Sequence, residues 1–216
     1  MNRTTRGIAT VMGAYAGLLG AVHGIFEALQ GSIAPSGIGI SAIGAPCQRE
    51  VVWHACLPAM TIVPSFLWAG VLTIVFATAI VVWAAAFVSG KRGGVILILL
   101  SILMLLVGGG IIPPLLGIIG GIAGTRITAP LTFVRTHFSD RTSRVLARLW
   151  PWDLIVFLVW SLGGWVLGYV SNQIMMKLGL ISLFVFDLGL PVLIVFSGLA
   201  RDTSIVKRQV PIPRRG

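Results

Sequence analysis

The chain has 216 residues, of which 56% are hydrophobic and only 10% charged. A soluble domain is usually about a quarter charged, so this composition excludes a compact water-soluble monomer and leaves no stretch for a separate soluble domain. The net charge of +10 does not point to nucleic acid: the cations lie between apolar runs and form no single patch interleaved with exposed aromatics.

A helix needs about 20 apolar residues to cross about 30 Å of hydrocarbon. By that measure the expected fold is an all-α integral membrane domain over residues 1–200. It has four full transmembrane helices, a Gly/Pro-broken hairpin that is either re-entrant or a thin helical pair, and an amphipathic helix that could lie in the interface. The first span, roughly 8–28, follows Arg3 and Arg6. Its apolar run is too long for a signal-peptide h-region and no small-x-small cleavage site ends it, so it reads as a retained span. Gly13, Gly17, Gly20 and Gly24 fall within about 60° of one another on this helix, a bare stripe that lets another helix approach closely in lipid. Packing inside the monomer is the expected use, with a homodimer or another membrane partner as the alternative. His23 and Glu27 lie one turn apart beside the stripe.

The following loop, 29–59, contains Cys47 and Cys56. On an oxidising face they are expected to form a disulfide, which for so short a loop contributes about 2–3 kcal/mol. With His54 they remain one ligand short of a structural zinc site, so no metal is expected. The Cys-x8-Cys loop on a four-span body is similar in outline to that of tetraspan junction proteins. Their tryptophan motif precedes both cysteines, whereas Trp53 lies between them here, so no family property is carried over.

The second span covers roughly 60–88. The apolar region 94–124 is too long for one simple span and short for two. Gly108, Gly109, Gly110, Pro113 and Pro114 in its middle would break or bend a helix, and broken backbone at membrane depth needs protein or water to cover it. Charge decides its course. If it enters and returns on the same side, Arg3, Arg6, Lys91, Arg92, the arginines from Arg126 to Arg148 and the basic residues from Arg201 onward share the cytoplasmic face. Only Arg49 and Lys177 then lie outside, the arrangement the positive-inside rule favours most. Both termini are therefore expected to be cytoplasmic, in the plasma membrane, with the basic segments against anionic lipid head groups.

In the segment 139–150, Ser139 and Asp140 can cap a helix. Arg141, Arg144 and Arg148 fall opposite Val145, Leu146, Leu149 and Trp150, a pattern suited to the interface or to packing on the ends of the spans. The third span, 152–170, is expected to be capped by Asp153 and carries Gly164 and Gly168. The last, 178–199, holds Asp187 near its middle. Residues 201–216 read as a disordered basic tail drawn to anionic lipid.

An ionised aspartate at mid-membrane costs about 2.5–3.5 kcal/mol on insertion scales, so intramembrane acids are paired, wet or protonated. No Lys or Arg lies within a full span to meet Asp187. Depth counting on antiparallel spans makes His23 its candidate partner, with Glu27 nearer the outer surface. No nucleophile elbow, H-E-x-x-H, Walker loop or dinucleotide fingerprint is present, so no catalytic residue or cofactor is expected. The leading expectation is an accessory or structural membrane protein. The alternative is a small-solute, ion or proton pathway built on the broken hairpin and on His23, Glu27 and Asp187. A water-filled vestibule reaching Asp187 and the Gly108–Pro114 break would favour the pathway, and a dry interior would dismiss it.

Overall fold

The computed structural model describes residues 1–41 and 57–209. Four helical stretches among them are long and apolar enough to cross a membrane: Arg3–Leu29, Phe66–Phe87, Asp140–Val170 and Asn172–Val206. The first is α1. The second comprises α2 (Phe66–Val82) and a π-helical turn, Trp83–Phe87. Between it and the third come two shorter apolar helices, α3 (Gly93–Val107) and α4 (Ile112–Gly124), and the short α5 (Thr132–His137). The third is α6, and the fourth comprises α7 (Asn172–Ile181), a π-helical segment (Ser182–Gly189) and α8, which runs from Leu190 to Gln209. A two-stranded antiparallel pair, β1 (Gly39–Ser41) with β2 (Pro58–Met60), is the small exception to the all-α class. Cys47 and Cys56 lie outside the described residues.

Helix α1 is central, packed on α2 and α4 and, more lightly, on α8. Its glycines set the closeness of the first contact. A Cβ added at Gly17 would sit 2.6 Å from the Ala77 carbonyl oxygen, and one at Gly24 would sit 2.8 Å from that of Gly70. Helix backbones in contact are the packing that lipid rewards, since dispersion replaces the hydrophobic drive there. Helix α4 answers with small residues of its own: Gly117 faces Ser101 and Ala16, and Gly120 faces Met12. By contrast, a Cβ at Gly164 would meet only Trp160 of its own helix, at 3.8 Å, so no neighbouring helix closes on it.

Helices α3 and α4 form an antiparallel hairpin. At its base Gly94 lies against Gly121 and Gly124; at its tip Gly108 lies against Glu27. Because Gly120 faces Ala9 and Gly108 faces Glu27, the hairpin follows α1 for about 27 Å at 1.5 Å per residue. Gly108 and Gly110 hold φ of +123° and +76°, a region costly to residues with a Cβ, and this ends α3. Pro113 and Pro114 do not break a helix; they occupy the first turn of α4, where a missing N–H is harmless. The carbonyl of Val107 accepts hydroxyls from Thr61 at 3.3 Å and Thr73 at 3.2 Å, and the Ile62 amide donates to the Leu106 carbonyl at 3.0 Å. The free end of α3 is thereby satisfied.

Three sequence expectations are corrected in the second half. The 139–150 segment and the third span are one 31-residue helix, capped by the Ser139 hydroxyl accepting from the Thr142 amide at 3.1 Å. Pro151 lies inside it: a proline removes one intrahelical bond, and the helix continues through. Asp153 is therefore no cap; it is buried in mid-helix facing Ser197 of α8. Residues Arg201–Gln209, expected to be disordered, continue α8. The reason is Asp202, whose carboxylate accepts from the amides of Thr4 (3.1 Å) and Thr5 (2.8 Å) and from the Thr5 hydroxyl (2.7 Å). It closes the N-terminus of α1 from another helix, meeting orphan amides and the positive end of the helix dipole. Antiparallel packing of α6 on the fourth stretch is marked by Trp160 stacked on Phe186, 4.1 Å between centroids, and by Arg201 lying 4.9 Å over Trp150.

Candidate functional site

The site forms where the α3–α4 turn and a stretch of irregular helix face each other beside the C-terminal part of α1. One is the α3–α4 turn. The His23 ring packs on Gly110, where an added Cβ would come within 2.7 Å of its Cε1, and the Glu27 carboxylate packs on Gly108. The spacing of four puts both side chains on one face of α1. Glu27 is fully buried, and neither carboxylate oxygen meets a hydrogen-bond donor among the described residues. His23 is 7% exposed.

The other stretch is the π-helical segment Ser182–Gly189. A π-helix bonds i to i+5, which stacks residues five apart, and the Ser182 hydroxyl donates to the Asp187 carboxylate at 3.2 Å. Tyr15 lies within electrostatic reach of Asp187. Its hydroxyl donates to the Ser161 carbonyl at 3.3 Å, and its ring meets Phe157 edge-on at 5.6 Å.

Between these stretches is a cavity of about 470 Å³. Its walls are His23, Leu57 and Pro58, the α4 start at Ile111, Ile112 and Pro113, and a face of the fourth helix carrying Met175, Gly179, Ser182, Leu183 and Asp187. His23 and Asp187 thus share one cavity, while Glu27 is not among its walls and sits behind the hairpin tip.

No family model matches this chain, and no curated protein or solved structure matches it either. What the site can do rests on its geometry. Among the described residues no three His, Cys, Asp or Glu side chains converge as a metal site. The volume lies within the roughly 300–1,000 Å³ of small-molecule sites, and apolar walls with a few convergent polar groups are their usual composition.

Sequence reading missed Ser182, because a spacing of five means nothing on an α-helix. It also missed Tyr15 and Thr73, since neither residue stands out in an apolar span. Asp202 was passed over as one acid in a basic tail, with its partners 197 and 198 positions away.

Proposed function

We propose that this is an integral membrane protein that binds a small solute between the hairpin tip and the π-helical segment, with both termini cytoplasmic. The observation that carries the solute site is the cavity joining His23 and Asp187 to the first turn of α4. An acid and an imidazole on the walls of one largely apolar cavity are the few convergent polar groups that orient a small solute.

Orientation is supported by where the cations gather. Asn2 bonds the carbonyls of Arg126 and Ile127, and Asp202 bonds Thr4 and Thr5. These contacts bring Arg3, Arg6, Arg126 and Arg201 to one end of the bundle, while Lys177 belongs to the cavity end. The positive-inside rule favours the first end as the cytoplasmic one, where anionic head groups would lie beside it. On this reading the hairpin makes two thin crossings of about 20–22 Å each. The second reading, a purely accessory protein, is favoured by the close glycine-lined seams that α1 makes with α2 and α4.

The test is thiol labelling of intact cells with a membrane-impermeant reagent, on a background with Cys47 and Cys56 replaced by serine. Ser32→Cys and Ser182→Cys are expected to react from outside. Ser143→Cys should react only after lysis, and Ser101→Cys, whose parent residue is fully buried, not at all. External labelling of Ser143→Cys would refute the orientation. A Ser182→Cys as inert as Ser101→Cys would refute the solute site.

A further inference from the structure

We infer that the solute held by this cavity is an amphiphile with a single positive charge, its cation set against Asp187 and its apolar body along α7 and the start of α4. This rests on the solute-site reading above and adds the sign of the charge and the shape of the molecule.

The sign follows from the walls. Asp187 supplies a carboxylate, Ser182 a hydroxyl and His23 an imidazole, and among the described residues no Lys or Arg lines the cavity. An ionised carboxylate only accepts, with about four lone-pair directions, and Ser182 fills one of them. The remainder call for donors or a positive charge, because a carboxylate in apolar surroundings is costly unless it is paired or wet. An anionic solute would bring a like charge to Asp187, and no Lys or Arg among the described wall residues offsets it. A cationic solute supplies the missing counter-charge.

The shape follows from the rest of the surface. Met175, Leu183, Ile112 and Pro113 offer an apolar body no hydrogen bond. Methionine fits irregular partners because its chain is unbranched and polarizable. Gly179 opens the wall of α7, where an added Cβ would find nothing within 4 Å. A bare metal ion does not fit this lining, since two carboxylate oxygens and a hydroxyl fall short of the six or more oxygens that hard cations take. A proton alone needs no apolar volume.

Three probes with one phenylalkyl body separate the terms: trimethylammonium, its neutral isostere tert-butyl, and sulfonate. Binding is measured by calorimetry on the whole protein in phosphatidylcholine nanodiscs, so that lipid charge selects neither sign. The cation is expected to bind at least about tenfold tighter than the neutral probe, and the sulfonate more weakly than either. Asp187→Asn should bring cation and neutral probe to the same affinity, and Gly179→Leu, which fills the cavity, should abolish binding of all three. Equal binding of the three probes, a preference for sulfonate, or a cation preference that survives in Asp187→Asn would overturn the inference and leave the solute site standing. Binding of none of them, together with an unreactive Ser182→Cys, would overturn the site and this inference with it. The wild-type ranking alone decides the sign, so an Asp187→Asn protein that fails to fold does not protect the idea.

Discussion

Asp202→Ala tests whether α1 is capped by the fourth helical stretch. The carboxylate is 4% exposed and Thr5 is fully buried, so water cannot replace the lost acceptor. Two α1 amides and the Thr5 hydroxyl would be left without it. A hydrogen bond to a charged group contributes about 1.5–3 kcal/mol, but these three share one carboxylate and do not add. An N-cap is worth about 0.5–2 kcal/mol and a charge at a helix N-terminus about 0.3–1. We therefore expect a loss of about 3 kcal/mol, a large share of the roughly 5–15 kcal/mol that holds a typical folded protein together. Asp202→Asn keeps one acceptor oxygen and turns an amide donor toward backbone donors, so it should lose about half as much. Thr5→Ala removes only the hydroxyl bond, worth about 1 kcal/mol. The double variant Asp202→Ala/Thr5→Ala should fall short of the sum of its parts, because both remove the same bond. Reversible unfolding in mixed micelles, followed by circular dichroism, gives the four values. An Asp202→Ala protein within about 0.5 kcal/mol of wild type, the scatter of an ordinary surface change, would refute the tertiary cap.

The glycines divide into two classes by the same assay. Gly24→Val drives a branched side chain into the Gly70 carbonyl and should lose about 3 kcal/mol or fail to accumulate, whereas Gly164→Ala, whose methyl would touch only Trp160 of its own helix at ordinary van der Waals distance, should be neutral or gain up to about 1 kcal/mol. Gly108→Ala combines a strained φ, about 1–2 kcal/mol, with a collision against the Glu27 carboxylate. Adding Glu27→Ala should relieve the collision and leave the strain, so the double variant should be more stable than two independent losses predict. Glu27→Met replaces a buried carboxylate that lacks donors among the described residues and should leave stability unchanged or higher. A loss beyond about 2 kcal/mol, the size of an orphaned buried hydrogen bond, would show that the acid has a partner.

Long-range order was legible in this sequence where composition alone sets it, and illegible where two distant segments set it together. Apolar runs flanked by arginines announce helices of crossing length, and the four-residue glycine spacing in α1 announces a close neighbour. The neighbour's identity was hidden: Gly117 and Gly120 of α4 lie in a region whose Gly108–Pro114 stretch dominated its reading. The prolines at 113 and 114 signal a break or a start equally well. Only the positive φ of Gly108 and Gly110 shows that the turn comes first and the prolines begin the next helix. Between 139–150 and 152–170 the outcome is the opposite: an interfacial segment and a span were expected, yet packing on α8 carries α6 straight through Pro151. At the site, depth counting named His23 as the partner of Asp187; the two line one cavity, but the bonded partner in the structure is Ser182, and the π-helical register that pairs them had no trace in a pattern read at 3.6 residues per turn.

The cavity exists because regular helical bonding fails on both of its sides at the same depth. In the hairpin, Gly108 and Gly110 reverse the chain in a conformation that only glycine adopts without strain. The missing Cβ atoms also leave the space that the Glu27 carboxylate and the His23 ring occupy. One feature of the sequence therefore stops α3, seats α1 against the turn and presents an imidazole to the opening. In the fourth stretch, the wider π register turns Asp187 toward the same opening and supplies Ser182 as its donor. Each irregularity alone would leave backbone groups short of partners in an apolar medium, which is why Thr61 and Thr73 converge on the Val107 carbonyl. Two independent departures from cheap, regular helix, both furnished with polar side chains and both facing one volume, are hard to derive from packing needs alone. The proposed solute site would account for why both occur at that level and why both contribute polar groups to one cavity.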